Sequence, residues 1–142
     1  MNPYNQYRRV SIATATPGRL IVMLYDRAIL DLETAMEAIQ SNQVALKGER
    51  IGHAQEIISE LLGALDMEVG DTIAESLRSL YLFMIRRLIE ANRDRNVQIL
   101  EEVIGLLREV REGWEGATKL VGESGPGNDP RNSEVVTVER MG

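Results

Sequence analysis

Residues 72–92 read TIAESLRSLYLFMIRRLIEAN, and this stretch decides the fold. Thr72 and Glu75 stand at the spacing of a capping box, in which the threonine side chain accepts a backbone N–H and the glutamate reaches back to the helix start. Apolar residues follow at steps of three and four: Ile73, Leu77, Leu80, Tyr81, Met84, Leu88 and Ala91. This period places them along one side of an α-helix, so the stretch predicts an amphipathic helix.

Three other stretches carry the same helical period. Thr16 followed by Pro17 predicts a helix start, because threonine caps free N–H groups and proline suits the first helical position. Asn96 stands at the corresponding position before the last stretch. The apolar positions are Ile21, Leu24, Tyr25, Ala28, Leu32, Ala35 and Ile39 in the first stretch, Ile51, Ala54, Ile58, Leu61, Leu62 and Leu65 in the second, and Ile99, Leu100, Val103, Leu106, Leu107, Val110, Trp114 and Ala117 in the last.

Gly48 and Gly52 fall in the first half of the second predicted helix. Each glycine costs about 1 kcal/mol of helix stability relative to alanine. Two interpretations stay open from the sequence: this end of the helix is frayed, or it packs closely against a neighbour.

Four long amphipathic helices with short connections predict an all-α protein, an antiparallel four-helix bundle. A chain of 142 residues suits one hydrophobic core. We therefore expect an N-terminal segment over residues 1–16, the bundle over residues 17–120 and a disordered tail over residues 121–142. The tail is expected because the sequence from Gly122 has too little apolar content to offset the entropy of ordering.

The composition argues against several classes of function. A net charge of -6 disfavours the nucleic-acid phosphate backbone as a partner. The absence of cysteine excludes disulfides and cysteine-bound metals, and it fits a reducing cytoplasm. The start of the chain does not resemble a secretory signal, and the most apolar stretch is too short and too polar to cross a membrane. We expect a cytoplasmic protein that does not insert into membranes.

Catalytic and cofactor motifs are missing from the sequence. The chain has one histidine, His53, with Glu49 and Glu56 at helical spacing from it. A di-iron bundle requires two Glu-x-x-His motifs, which one histidine cannot supply. Phosphate-binding glycine loops are also missing. We expect no catalytic residues, no metal site and no cofactor, and we interpret His53 as a partly exposed helix residue.

The predicted helices carry more apolar residues than one stripe requires. In the third helix Leu82, Ile85 and Ile89 lie beyond the core stripe, and the first helix adds Val22, Met23, Ile29 and Leu30. One interpretation is that these helices simply contact two neighbours each. The other is a groove that binds an amphipathic partner helix. Tyr4, Tyr7, Val10 and Ile12 are apolar enough to cover such a groove until a partner displaces them.

A family resemblance favours the second interpretation. The sequence resembles the FliS family of flagellin export chaperones from about residue 2 to residue 120. The resemblance rests on Asn2-Pro3-Tyr4 with Tyr7, on residues 14–18 (TATPG), on Met23-Leu24-Tyr25-Asp26, on Tyr81 with residues 84–92 (MIRRLIEAN), on residues 99–103 (ILEEV) and on Trp114. Arg19 and Arg27 depart from the residues that the family often has there, which concerns local helix chemistry only.

The resemblance implies a chaperone that binds the C-terminal segment of flagellin and prevents premature polymerisation and aggregation. It also implies docking at the flagellar export apparatus, with the export gate protein FlhA as the expected contact. The implied flagellin-binding residues are Leu20, Met23, Tyr25, Leu82, Ile85 and Ile89, and the implied N-terminal cap consists of Tyr7, Val10 and Ile12. We expect a monomer or a weak homodimer.

Two alternatives remain at this point. A self-associating helical structural or adaptor protein would use the same surplus apolar surface to bind copies of itself. A helical hydrolase or metal-dependent protein would use clustered glutamates with His53.

Overall fold

The computed structural model describes residues 17–65 and 72–124, with side chains placed for residues 18–65 and 72–116. These residues form four α-helices. In chain order they are α1 (Pro17–Gln40), α2 (Val44–Gly63), α3 (Thr72–Asp94) and α4 (Val97–Ser124). The predicted N-terminal cap segment and the tail beyond residue 124 lie outside the described residues.

The helices pack as a ring in chain order. Helix α1 contacts α2 and α4, and α3 contacts the same two helices from the opposite side. Short connections between successive neighbours reverse the chain direction, which gives an antiparallel four-helix bundle. The predicted all-α fold is confirmed, and so are the predicted helix starts at Pro17 and Thr72.

Two connections use the same tight turn. Asn42 after α1 and Arg95 after α3 adopt left-handed backbone conformations, with φ of 61° and 52°. The next residue in each turn donates its N–H to a carbonyl of the preceding helix, Gln43 to Ala38 at 2.8 Å and Asn96 to Ala91 at 3.1 Å. This is the Schellman pattern, which satisfies carbonyls at a helix end. Each helix pair, α1 with α2 and α3 with α4, is therefore a tightly closed hairpin.

Asn96 also starts the helix that follows. Its side-chain Oδ1 accepts the backbone N–H of Ile99 at 3.2 Å. This is the N-cap hydrogen bond expected from an asparagine at that position. The sequence-based assignment of Asn96 as the cap of the last helix is confirmed.

The core is built from the predicted stripes. Its fully buried members with the largest side chains are Tyr25, Tyr81, Leu32, Ile51, Ile57, Ile58, Met84, Leu88, Leu100, Leu107, Val22 and Val103. Ile73 was predicted in the α3 stripe but is 52% exposed, and Ala74 is buried in its place. Because Lys47 of α2 lies beside Asn92 of α3, the first turn of α3 extends past the end of α2, and Ile73 lies beyond the level at which α2 ends.

Helix α1 buries a wider arc than predicted. Val22 and Ile29, assigned from the sequence to a second apolar strip, are 0% and 8% exposed and belong to the core. The reason is that α1 packs extensively against both α2 and α4. For these two residues the interpretation of a helix that contacts two neighbours is correct.

Two details of the sequence interpretation change. Gly48 and Gly52 lie inside the continuous helix α2, and a Cβ atom at either position would meet no described atom within 4 Å. Neither fraying nor close packing therefore explains these glycines. Helix α4 continues through Gly122 to Ser124, so its end was placed too early. A helical glycine is tolerated at a cost of about 1 kcal/mol, so Gly122 does not by itself end the helix.

Candidate binding surface

Helices α1 and α2 are joined by a buried charge network. The side chain of Asp31 on α1 is fully buried and accepts a hydrogen bond from Arg50 Nη1 on α2 at 3.2 Å. Its second oxygen lies 3.0 Å from Nδ1 of His53 on α2, and Arg27 Nε lies 3.8 Å from the oxygen that Arg50 contacts. A buried carboxylate is stable only when it is paired in this way. This contact closes the boundary between α1 and α2.

Helices α1 and α4 are joined by surface ion pairs. Arg111 on α4 pairs with Asp26 on α1, and Arg108 on α4 pairs with Glu33 on α1. An open depression of about 380 Å³ lies around these pairs, and Ile29 and Leu30 contribute its apolar part. The boundary between α3 and α4 is bridged in the same manner by Arg87 and Glu102 at 2.8 Å.

The boundary between α2 and α3 differs. Lys47 Nζ on α2 donates to the backbone carbonyl of Asn92 on α3 at 2.9 Å, and this contact fixes the register of the two antiparallel helices. At about 100° per residue, Leu82, Ile85 and Ile89 lie on the side of α3 that faces outward and toward α2. They belong to a different side of α3 from Arg87, which faces α4.

Two glycines of α2 lie opposite these apolar side chains. In the register set by Lys47, Gly48 and Gly52 flank the level of Ile89 on the neighbouring helix. Both glycines are half-buried, and without side chains they leave room beside α3. We call the surface formed by Gly48, Gly52, Leu82, Ile85 and Ile89 the α2–α3 furrow.

The furrow exposes apolar surface. Ile89 is 55% exposed, and Leu82 and Ile85 are half-buried, with Ile85 packed against the core. Exposed apolar surface of this kind in a soluble bundle marks an interaction site when it is contiguous. Leu82, Ile85 and Ile89 were predicted as binding residues, and the structure brings these three together.

The other predicted binding residues lie elsewhere. Leu20 and Met23 are half-buried on the outer side of α1, where Leu30 is 49% exposed. We call these three residues the α1 outer strip. Because α1 does not adjoin α3 in the ring, this strip is separate from the furrow. The expected single groove is therefore two surfaces.

Tyr25 is not a surface residue. It is fully buried, and its hydroxyl hydrogen-bonds to that of Tyr81 across the core. Burial raises the pKa of both tyrosines, and for Tyr25 the neighbouring Tyr81 raises it further. The structure thus places Tyr25 in the core stripe, which the helical period had also assigned to it, and not on the surface with Leu20 and Met23. Tyr7, Val10 and Ile12, the predicted cap, lie outside the described residues.

The Asp31 network was missed in the sequence. Glu49 and Glu56 appeared to be the carboxylates nearest His53, because only they share its helix. The contacting carboxylate comes from α1, and no local spacing signals a partner on another helix. Within residues 17–65 and 72–124, no cluster of three or more His, Asp or Glu side chains has the arrangement of a metal site. No helix in the described part of the chain is long and apolar enough to cross a membrane.

Comparisons with known proteins agree with the architecture. The family model described as flagellar protein FliS matches residues 1–121. The chain is 42% identical to the flagellar secretion chaperone FliSB of Pseudomonas aeruginosa over 120 residues, which covers 82% of this chain and 95% of that one. It is 35% identical to the flagellar secretion chaperone FliS of Bacillus subtilis over 116 residues, covering 82% and 86% of the two chains.

A solved structure supports the fold. A crystal structure of a flagellar chaperone from bacteria superposes with a TM-score of 0.69 at 19% identity, covering 83% of this chain and 98% of the other. The resemblance seen in residues 2–120 is thus confirmed over nearly the same range by the family model. The chain belongs to the FliS family of flagellar secretion chaperones, a family without enzymatic activity.

Proposed function

We propose that this protein binds the C-terminal segment of flagellin in the cytosol and holds it in a form that neither polymerises nor aggregates. The loaded complex then docks at the flagellar export apparatus, with FlhA as the contact. Support for the client comes from the family, whose members are flagellar secretion chaperones by name. Support for the mode of binding comes from the surface of the bundle.

The observation that carries the proposal is the α2–α3 furrow. Ion pairs bridge each of the other three helix boundaries. Here Leu82, Ile85 and Ile89 are only partly covered, beside two glycines that leave space. An amphipathic helix binds such a surface by inserting apolar anchors at three- and four-residue spacing. The furrow is therefore the principal contact for the client.

A client that wraps around the bundle would also reach the α1 outer strip of Leu20, Met23 and Leu30. We propose that residues 1–16, with Tyr7, Val10 and Ile12, cover client-binding surface in the free protein and move aside on binding. Folding of a disordered segment on a partner buries about 1,000–3,000 Å² and costs a few kcal/mol in ordering. This balance gives a complex that is firm but can be released at the export apparatus.

Calorimetric titration with the C-terminal segment of flagellin tests the proposal, and α3 offers a matched pair of variants. Ile89 and Ile73 are the same residue type on the same helix, 55% and 52% exposed. Ile89→Asp introduces a charge into the furrow and should weaken binding by about tenfold or more, the effect of losing an interface anchor. Ile73→Asp lies outside the furrow and should bind like the unmodified protein.

Two results would contradict the proposal. Equal affinities of both variants for the segment would show that the furrow is not the contact. The unmodified protein could also fail to bind the segment, while light scattering shows an oligomer whose size does not change when the segment is added. That result would favour self-association through the same apolar surface.

A further inference from the structure

Four exposed charged side chains line the α2–α3 furrow. Glu49 and Glu56 on α2 and Arg78 and Arg86 on α3 are all exposed. None of the four forms an ion pair with a residue that the structure describes. At the other boundaries, by contrast, cations such as Arg87 and Arg111 reach across to carboxylates on the next helix.

The four charges are sorted by sign. The two glutamates are seven positions apart in the sequence, so they lie nearly in line along α2, about 10 Å apart. The two arginines lie about 12 Å apart along α3, with Arg86 on its outward side and Arg78 in the stripe of Ile85 and Ile89, toward α2. The α2 side of the furrow therefore carries two exposed glutamates, and along α3 two exposed arginines outnumber one exposed glutamate, Glu75. Glu75, one turn before Arg78, is exposed too and forms no ion pair with it within the described structure.

We propose that this charge asymmetry fixes the direction in which a helical partner lies in the furrow. The inference rests on the proposed function, since it concerns the same surface. The partner has an apolar stripe with acidic residues along one flank and basic residues along the other. Its acidic flank faces Arg78 and Arg86, and its basic flank faces Glu49 and Glu56.

Direction follows from geometry. When a helix with its apolar side down is turned end for end, its left and right flanks exchange places. Only one direction then pairs opposite charges with the furrow, while the other places like charges together. A helix whose flanking charges pair with those of the furrow therefore binds in one direction.

The handedness of the α-helix sets which direction this is. The Arg50 side of α2 faces α1 and the opposite side faces α3, so with α2 running upward α3 lies on its left when viewed from outside. In a right-handed helix with apolar heptad positions a and d, position e lies on the left and g on the right in the same view. A partner with acids at e and bases at g therefore runs parallel to α2.

Two synthetic 21-residue helical peptides test this inference. They have the same composition and the same apolar a and d residues, but one has glutamate at e and lysine at g, and the other has the reverse. Each carries a nitroxide at its N-terminus, and broadening of amide signals in the full-length protein reports where that end lies. The first peptide should broaden the amides near Gly48, and the second those near Ser59, at the opposite end of the furrow.

Variants of the chain sharpen the result. Substituting all four charges, Glu49→Gln, Glu56→Gln, Arg78→Gln and Arg86→Gln, should remove the preference, so that each peptide broadens both ends. Arg108→Gln, which changes a charge on the far side of the bundle, should leave the preference intact. A third peptide with both signs mixed on each flank should bind about threefold to tenfold more weakly than the sorted ones, the size expected for a few surface ion pairs.

The outcomes separate the two proposals. If flagellin's C-terminal segment binds and Ile89→Asp weakens it, yet both peptides lie in the same direction or show no preference, the charge inference is overturned and the proposed function stands. If neither the flagellin segment nor any peptide binds, both are overturned.

Discussion

Helix α2 meets α1 along one flank and α3 along the other, and the two flanks differ in what lies between the helices. Toward α1, Arg50 and His53 reach the buried carboxylate of Asp31. Toward α3, Gly48 and Gly52 leave space beside the partly exposed Ile89. The same helix thus contributes stability through one flank and the proposed binding surface through the other.

Removing the charge at the closed flank should have the largest effect on stability. Asp31→Ala leaves Arg50 and His53 without their buried carboxylate, and we expect a loss of about 2–3 kcal/mol in the free energy of unfolding. Chemical denaturation measures this loss. Affinity for the flagellin segment should stay unchanged under conditions where the variant is folded. A variant as stable as the unmodified protein would mean that the network does not hold the two helices together.

Alkaline pH should lower the free energy of unfolding through the two buried tyrosines of the core. The folded-state pKa values of Tyr25 and Tyr81 are raised by burial above the ordinary value of 10.0. Above that pH the unfolded chain releases protons that the folded chain retains, so each tyrosine should lower the free energy of unfolding by about 1.4 kcal/mol per pH unit. Their contribution is complete below about pH 10 and is lost as the pH rises.

Denaturation between pH 9 and pH 11 checks this tyrosine effect. The variant Tyr25→Phe with Tyr81→Phe is the control and should show a much shallower decline. An equal decline in both proteins would assign the pH dependence to other groups. Leu82, Ile85 and Ile89 do not titrate, so the furrow itself should not contribute to the decline.

Filling the open flank should raise stability while it harms binding. Gly52→Ala adds a methyl group that meets no described atom within 4 Å, and the helix should gain about 1 kcal/mol. The same methyl group enters the furrow and should lower the affinity of the protein for the flagellin segment. Gly105→Ala on α4 is the matched control, since it is equally unobstructed and lies away from the furrow. Gly105→Ala should raise the thermal stability without lowering the affinity for the flagellin segment measured by calorimetric titration. Equal affinities of the two variants would contradict the proposal that Gly52 lies in the binding surface.

The smallest effect should come from the turns that close the two hairpins. Arg95, with φ of 52°, occupies a left-handed conformation that costs a residue with a Cβ atom about 1–2 kcal/mol. Arg95→Gly should therefore stabilise the protein by about 0.5 kcal/mol after the entropy cost of glycine. Asn42→Gly should be nearly neutral, because asparagine tolerates this conformation. Thermal unfolding of the two variants measures the difference, and a larger gain at Asn42 would contradict it.

The sequence predicted what depends on one helix at a time. The period gave the core stripe of α3 from Leu77 to Ala91, and the Asn96 cap followed from residue type and position. The sequence did not predict Asp31, whose partners come from another helix, or the burial of Val22, which depends on how many neighbours α1 has. Leu82, Ile85 and Ile89 could be predicted as surface residues because they exceed what one stripe needs, whereas the position of Gly48 beside them required knowledge of which helix lies opposite.

Tight turns close both hairpins, so only two boundaries lie between the hairpin of α1 with α2 and the hairpin of α3 with α4. One is the furrow, and the other is the boundary of α1 with α4. Rocking one hairpin against the other to admit a thicker client would strain the pairs of Asp26 with Arg111 and Glu33 with Arg108. Salt screens exposed pairs of this kind. Ionic strength should therefore change how easily the two hairpins separate.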